Sequence, residues 1–115
     1  PSPIELLLSA NTDIEQICLV GTGIPQPIAL ITLSELGKGK TKEALSLSLI
    51  ESISKLNPSL EKHEKIEKIV IMKEDWTVDN GLTTPTLKVK RNAIERIHQP
   101  LYSKWFAMEN KVIFE

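Results

Sequence analysis

The spacing of apolar residues between positions 41 and 56 constrains the fold of this chain more than any other feature. Leucine and isoleucine recur there at steps of four, four and three residues, as Leu45, Leu49, Ile53 and Leu56. This spacing places the four side chains on one face of a helix, while charged residues take other positions. Asn57-Pro58 ends the pattern, because proline lacks the N–H that a helix interior needs. The sequence therefore predicts a long amphipathic helix whose apolar face packs against another layer.

Short β-branched and apolar runs on either side of this helix predict that the other layer is a sheet. Residues 14–22 and 27–33 form two such runs, and Gly23 and Pro25 lie between them, which is typical of an antiparallel hairpin. We expect this hairpin at the centre of the sheet, with a third strand over residues 66–72.

Shorter helices complete the predicted fold. They cover residues 3–10 and 91–97, with Ile94 and Ile97 of the second helix on one face, and a last helical turn follows them. We predict an α+β fold with a small, largely antiparallel sheet of about three strands flanked by helices. It forms a single domain over residues 1–115.

The charge balance and the lengths of the apolar runs argue against two classes of partner. Fourteen Lys and Arg against fifteen Asp and Glu leave a formal charge of −1, so no global positive field exists for a nucleic-acid backbone. No apolar stretch approaches the ~20 residues that cross a bilayer. We therefore expect no nucleic-acid partner and no transmembrane segment.

The cysteine and the histidines do not indicate a metal site. Cys18 is the single cysteine and lies in an apolar run, so we expect a buried structural thiol. His63 and His98 lack the spacing of metal ligands. We expect both histidines at the surface.

The run GKGKT at residues 37–41 has part of a phosphate-loop pattern. Its Gly-Lys-Thr precedes a predicted helix, and helix N-termini bind phosphate through free N–H groups. The complete pattern requires a glycine where this chain has Ser34. We expect a solvated basic entry to the helix, with Lys38 and Lys40 as candidates for phosphate contacts.

Residues 79–91, DNGLTTPTLKVKR, are the most informative segment. They combine a tight turn at Asn80-Gly81, a threonine-rich stretch stiffened by Pro85, and a basic end. In extended backbone, Lys88 and Lys90 share one face. Composition alone leaves two interpretations open: an ordinary exposed basic loop, or a lysine that a rigid loop presents to an anionic ligand.

Residues 80–91 resemble the C-terminal signature of the adenylate-forming acyl-CoA synthetases, in the form found in long-chain fatty acid–CoA ligases. Residues 1–34 resemble the start of the same small domain. The resemblance implies a mobile C-terminal lid of a larger two-domain ligase. The family's catalytic lysine follows the signature proline by three residues, which implies Lys88. Leu87 stands where many relatives have glycine, which favours the long-chain branch.

Neighbouring residues are candidates for supporting roles. Asn80, Gly81, Pro85 and Thr86 would position the loop, and Lys90 and Arg91 join Lys38 and Lys40 as candidates for phosphate contacts. The positive charge of the catalytic lysine would offset the repulsion between a carboxylate and a polyphosphate.

The implied enzyme joins a fatty acid to the α-phosphate of ATP, releases pyrophosphate, and transfers the acyl group to CoA. ATP, CoA and magnesium are thus implied for the full-length enzyme, and an N-terminal AMP-binding domain of the same chain is the implied partner. We expect residues 1–115 alone to be inactive and to bind none of these ligands. The expected location is cytoplasmic, or peripheral to a membrane in the full-length protein.

Two alternatives stay open at this point. One is the lid of an acyl-adenylating relative that loads a carrier protein. The other is a non-enzymatic protein-binding α+β module, which an AMP-binding domain encoded directly upstream of Pro1 would exclude.

Overall fold

The computed structural model describes residues 3–21, 27–61, 65–66, 68–86, 88–109 and 111–115. The helices in these ranges are α1 (Pro3–Leu8), α2 (Glu35–Lys38), α3 (Lys42–Leu56), α4 (Arg91–His98) and α5 (Tyr102–Ala107). The strands are β1 (Ile14–Val20), β2 (Ile28–Leu33), β3 (Lys68–Ile71) and β4 (Val112–Phe114). Short 3-10 turns follow α3 at Asn57–Ser59 and α4 at Gln99–Leu101. The predicted turn residues Gly23 and Pro25, together with His63 and Leu87, lie outside the described residues.

The strands form one mixed sheet in the order β1-β2-β3-β4. Strand β1 pairs antiparallel with β2, whereas the β2–β3 and β3–β4 pairs are parallel. The predicted α+β class is confirmed. The sheet nevertheless has four described strands instead of about three, it is not largely antiparallel, and the hairpin lies at one edge instead of the centre.

The parallel pairs arise from the long connections that leave and re-enter the sheet. Helix α3 lies between β2 and β3, and α4 and α5 lie between β3 and β4. A connection of this length carries the chain back to the end of the sheet from which it started, which makes the next strand parallel. Strand β4 escaped prediction because it has only three residues.

Helices cover both faces of the sheet, since neighbouring side chains of a strand point to opposite sides. The predicted apolar face of α3 is confirmed, and its residues are buried against Ala29, Ile31, Ile69 and Ile71. On the other face, α4 and α5 contribute Ile94, Tyr102 and Trp105, which pack with Ile28, Leu30 and Val70. Burial of each large apolar side chain contributes about 1.5–3 kcal/mol, and this packing stabilises helices too short to persist alone.

The predicted burial of Cys18 is confirmed, but the surface position predicted for His98 is wrong. Cys18 is 1% exposed, and burial raises the pKa of its thiol to about 11. His98 is buried, with its ring centroid 5.8 Å from that of Trp105. Residues four apart lie on the same side of a helix, so Ile94 and His98 face the core while Ile97 is 55% exposed.

Burial also shifts the pKa of His98. It lowers the pKa of the imidazole, and the carboxylate of Glu115, 3.6 Å from Nδ1, acts in the opposite direction.

No helix among the described residues is long and apolar enough to cross a membrane.

Candidate functional site

The signature segment, residues 79–91, lies between β3 and α4, and a side chain from β1 binds the backbone three residues before it. Gln16 Nε2 donates to the carbonyl oxygen of Trp76 at 2.9 Å, and Gln16 Oε1 accepts from the Trp76 N–H at 3.1 Å. Thr32 of β2 also donates to Gln16 Oε1, at 2.9 Å. The Trp76 side chain is buried in the core that α4 and α5 cover. The segment therefore leaves the sheet at a defined point.

Asn80 organises the first turn of the segment through its side chain. Its Oδ1 accepts from the N–H groups of Thr77 at 3.0 Å and Leu82 at 3.1 Å, and its Nδ2 donates to the carbonyl of Asp75 at 3.0 Å. Gly81 has a φ of +79°, in the left-handed region that glycine adopts without steric cost. The predicted tight turn at Asn80-Gly81 is confirmed.

A second, hairpin-like turn carries Lys88. Thr83 and Val89 form an antiparallel bridge, the Thr84 N–H donates to the Lys88 carbonyl at 2.8 Å, and the Lys88 N–H donates to Thr84 Oγ1 at 3.0 Å. The hydroxyl groups of Thr84 and Thr86 lie 3.0 Å apart. Both backbone polar groups of Lys88 are thus bonded to one residue, Thr84, whose role was not predicted from the sequence. A threonine directly before proline is the signal that could have indicated it.

The Lys88 side chain is exposed, as predicted, and Pro85 and Thr86 are exposed at the tip of the same turn. Among the described residues, no carboxylate lies within ion-pair distance of the Lys88 ammonium. Val89 packs inward against the buried cluster while Lys90 is exposed, so the predicted alternation along this stretch is confirmed. The geometry presents a positive charge to solvent on an ordered backbone.

Three of the predicted phosphate-contact residues have carboxylate partners within the chain. Lys38 lies 2.9 Å from Asp75, and Arg91 lies 3.0 Å from Glu5. Lys40 lies 2.8 Å from the Oδ1 atom of an aspartate in the loop before β1. Their phosphate contacts stay predictions.

The fourth candidate, Lys90, lies in an open cleft at the start of α4. The cleft measures about 390 Å³, and it is lined by Lys90, Arg91, Asn92, Ala93 and Arg96. Arg96 was not predicted from the sequence. Among the described residues, Lys90 has no ion-pair partner, whereas the other three candidate cations each pair with a carboxylate.

The glycine-rich run before α3 has a packing role. Ser34 caps α2 by accepting from the Gly37 N–H at 3.1 Å, and a Cβ on Gly37 would lie 2.5 Å from the carbonyl oxygen of Asp13. Lys40 bonds to the Asp13 carboxylate, which also accepts from Ser48 at 2.8 Å. The hydrogen bond from Lys40 lowers the pKa of Asp13, helped by Ser48 and opposed by burial. Gly37 and Lys38 therefore belong to a short capped helix, and residues 38–41 are exposed, as expected for a solvated basic entry to α3.

A metal site is not found among the described residues. They contain no group of three or more His, Cys, Asp or Glu placed to hold a metal ion. What the signature segment can do chemically is bring an ammonium group, and a second cation near it, to an anionic ligand outside this domain.

Comparison with protein families and sequences gives consistent matches. Residues 1–107 match the model of a family described as AMP-binding enzyme C-terminal domain. Long-chain-fatty-acid–CoA ligase 5 of Mus musculus is 30% identical over 90 residues, which cover 70% of this chain and 13% of that protein. The ligase of the same name from Rattus norvegicus is 27% identical over 117 residues, covering 86% and 17%. The chain thus spans less than a fifth of the length of either relative.

Solved structures share the fold at low sequence identity. An A-PCP didomain of carboxylic acid reductase from Segniliparus rugosus, in complex with AMP, has a TM-score of 0.70 at 20% identity, over 88% of this chain and 15% of that one. The adenylation domain of the carboxylate reductase from Mycobacterium chelonae has a TM-score of 0.75 at 15% identity, over 91% and 17%.

Proposed function

The chain belongs to the family of AMP-binding enzyme C-terminal domains, and from this membership we propose that it is the lid of an ATP-dependent long-chain fatty acid–CoA ligase. The observation that carries the proposal is the exposed Lys88 on a hydrogen-bonded turn, at the position of the family's adenylation lysine. The two ligase relatives support the long-chain assignment.

Lys88 acts electrostatically in the first half-reaction. A fatty acid carboxylate oxygen attacks the α-phosphorus of ATP, the bond to the β-phosphate oxygen breaks, and pyrophosphate leaves. The reaction brings anions together, and a positioned ammonium offsets their repulsion and the charge that develops in the transition state. In the second half-reaction the CoA sulfur attacks the acyl carbonyl and AMP leaves, without need of Lys88.

The remaining components belong to the N-terminal AMP-binding domain of the same chain. That partner would bind ATP and the fatty acid and would hold magnesium. Asn80, Gly81, Pro85 and Thr86 would shape the turn, and Lys90 is the first candidate for a CoA phosphate. A cytoplasmic location, or a peripheral one at a membrane surface, is part of the same proposal.

A second candidate function is the loading of a carrier protein instead of CoA. The similarity to an A-PCP didomain favours it, because that structure contains a PCP domain beside its A domain and shares the fold of this chain over part of its length. The two functions share the adenylation step and differ in the acceptor. Transfer from the acyl-adenylate to CoA, compared with transfer to a phosphopantetheinyl carrier domain, separates them.

The decisive experiment is Lys88→Ala in the full-length protein. ATP–pyrophosphate exchange with a series of fatty acids should fall by at least ~100-fold, the scale of removing one preorganised electrostatic donor. Thioester formation from supplied acyl-adenylate should change little. Lys104→Ala, which removes an exposed lysine of α5, is the matched control. Equal losses in both half-reactions, or no loss in adenylation, would contradict the proposal.

A further inference from the structure

A buried carboxylate on α1 reaches across the domain to the end of the segment that carries Lys88. Glu5 Oε1 lies 3.0 Å from Arg91 Nη2, and Glu5 Oε2 accepts from the N–H of Leu19 on β1 at 3.2 Å. The Glu5 side chain is 8% exposed, against 50% for Arg91. A carboxylate removed from water to this extent is costly unless it is paired. Arg91 is therefore part of what allows Glu5 to be buried.

The start of α4 needs a negative charge that its own sequence does not provide. Its first turn contains no acidic residue, and Lys90 at the N-cap makes no capping hydrogen bond through its side chain. Arg91 and Lys90 thus place positive charges at the positive end of the helix dipole, which is unfavourable. Glu5 supplies the compensating negative charge from α1.

The Glu5–Arg91 pair also lies close to Lys88 along the chain. Arg91 follows Lys88 by three residues, and the intervening Val89 is held by its bridge to Thr83. The Lys90 N–H donates to the Leu82 carbonyl at 2.8 Å. Only a short, bonded stretch of backbone therefore separates the ion pair from the lysine.

We propose that Glu5 is a positioning residue for Lys88, acting through Arg91. The pair fixes the far end of the turn to α1 and β1, so that the Lys88 ammonium enters the active site of the partner domain in one orientation. This inference rests on the proposed function of Lys88. It differs from a general stabilising role, because positioning affects only the half-reaction in which Lys88 takes part.

The test is Glu5→Gln in the full-length protein. Glutamine keeps the size of the side chain and an oxygen that can accept from Leu19, but it removes the charge. Adenylation should fall about tenfold in kcat, because small displacements of a reacting group are costly. Thioester formation from supplied acyl-adenylate should stay within about twofold of wild type. Glu51→Gln, which breaks the exposed pair with Lys55, is the matched control for loss of a surface charge.

The double variant with Arg91→Gln distinguishes a pair from two independent residues. If Glu5 acts through Arg91, the double variant loses no more adenylation activity than the less active of the two single variants. If Arg91 instead contacts a phosphate, Arg91→Gln raises the KM for CoA whether or not Glu5 is present, and the inference is wrong.

Lys88→Ala in the same assays separates failure of this inference from failure of the proposed function. Loss of adenylation in Lys88→Ala with normal adenylation in Glu5→Gln overturns only the positioning role. Equal loss of both half-reactions in Glu5→Gln shows that Glu5 is merely structural. No loss in Lys88→Ala overturns the function and the inference together.

Discussion

Gln16 holds the backbone of Trp76 at two points, with Nε2 2.9 Å from the carbonyl oxygen and Oε1 3.1 Å from the amide nitrogen. The side-chain amide thus bonds to both the N–H and the carbonyl of one residue, as a neighbouring strand would. Strand β1 is an edge strand. Its pairing register with β2 shifts between Ile14 and Gln16. Through this pair, the edge of the sheet determines where the Lys88 segment begins.

The first prediction concerns Gln16→Ala. The substitution leaves the N–H and the carbonyl of Trp76 and the Thr32 hydroxyl without this partner, and unsatisfied buried groups cost about 1–3 kcal/mol each. We expect the local free energy of opening over residues 76–83 to fall by about 2 kcal/mol, on the scale of one such group. Hydrogen exchange with mass spectrometry measures this. Gln99→Ala, at an exposed glutamine, should leave the same amides unchanged.

The second prediction compares two glycines of the GKGKT run. A Cβ on Gly37 would lie 2.5 Å from the backbone oxygen of Asp13, whereas a Cβ on Gly39 would meet only the Leu36 oxygen at 3.6 Å. Gly37→Ala should therefore lower the free energy of unfolding by about 1–3 kcal/mol, the usual cost of overpacking. Gly39→Ala should be neutral within about 0.5 kcal/mol. Thermal unfolding of both variants checks this, and equal effects would contradict the close approach at Gly37.

The third prediction concerns the pH dependence of stability at Asp13. The hydrogen bond from Lys40 lowers the pKa of this carboxyl below its ordinary value of 3.8. Between these two pKa values the unfolded chain binds more protons than the folded one, so stability rises with pH. The contribution is thus complete above pH 3.8 and is lost as the pH falls through the folded-state pKa.

Asp13→Asn tests this contribution directly. It should lower the free energy of unfolding at neutral pH by at least about 1.5 kcal/mol, because it removes hydrogen bonds to a charged group. The difference from wild type should shrink in acid. Glu35→Gln, at an exposed carboxylate 4.0 Å from Lys38, should show no such convergence. A difference between Asp13→Asn and wild type that is independent of pH would count against the ion pair.

Local patterns predicted the features that depend on neighbours in the chain. The face of α3 with Leu45 and Leu49 followed from helical spacing, because that face must be buried whatever covers it. The turn at Gly81 followed from the conformational freedom of glycine after asparagine. The likeness of residues 80–91 to a known signature indicated Lys88 before its surroundings were known.

The spacing of apolar residues along α4 gave a wrong prediction of its buried face, because the elements that pack on a helix decide which of its residues are buried. Ile94 and Ile97 are three residues apart and could share a face, but the core selects Ile94 and His98 instead. The strand order is similar: whether β3 joins the sheet parallel or antiparallel depends on where α3 carries the chain. A local apolar run contains no information about that path.

The sequence by itself determined the long helix, the first two strands and the Asn80-Gly81 turn, because each depends on interactions between residues close in the chain. Its resemblance to a known signature indicated the candidate lysine. Only the tertiary structure decided which side chains hold that lysine in place. Gln16 and Trp76 are 60 positions apart, and Glu5 and Arg91 are 86 apart. Such pairs form because the sheet brings α1, β1 and the start of α4 together in space, and no local spacing rule records that proximity.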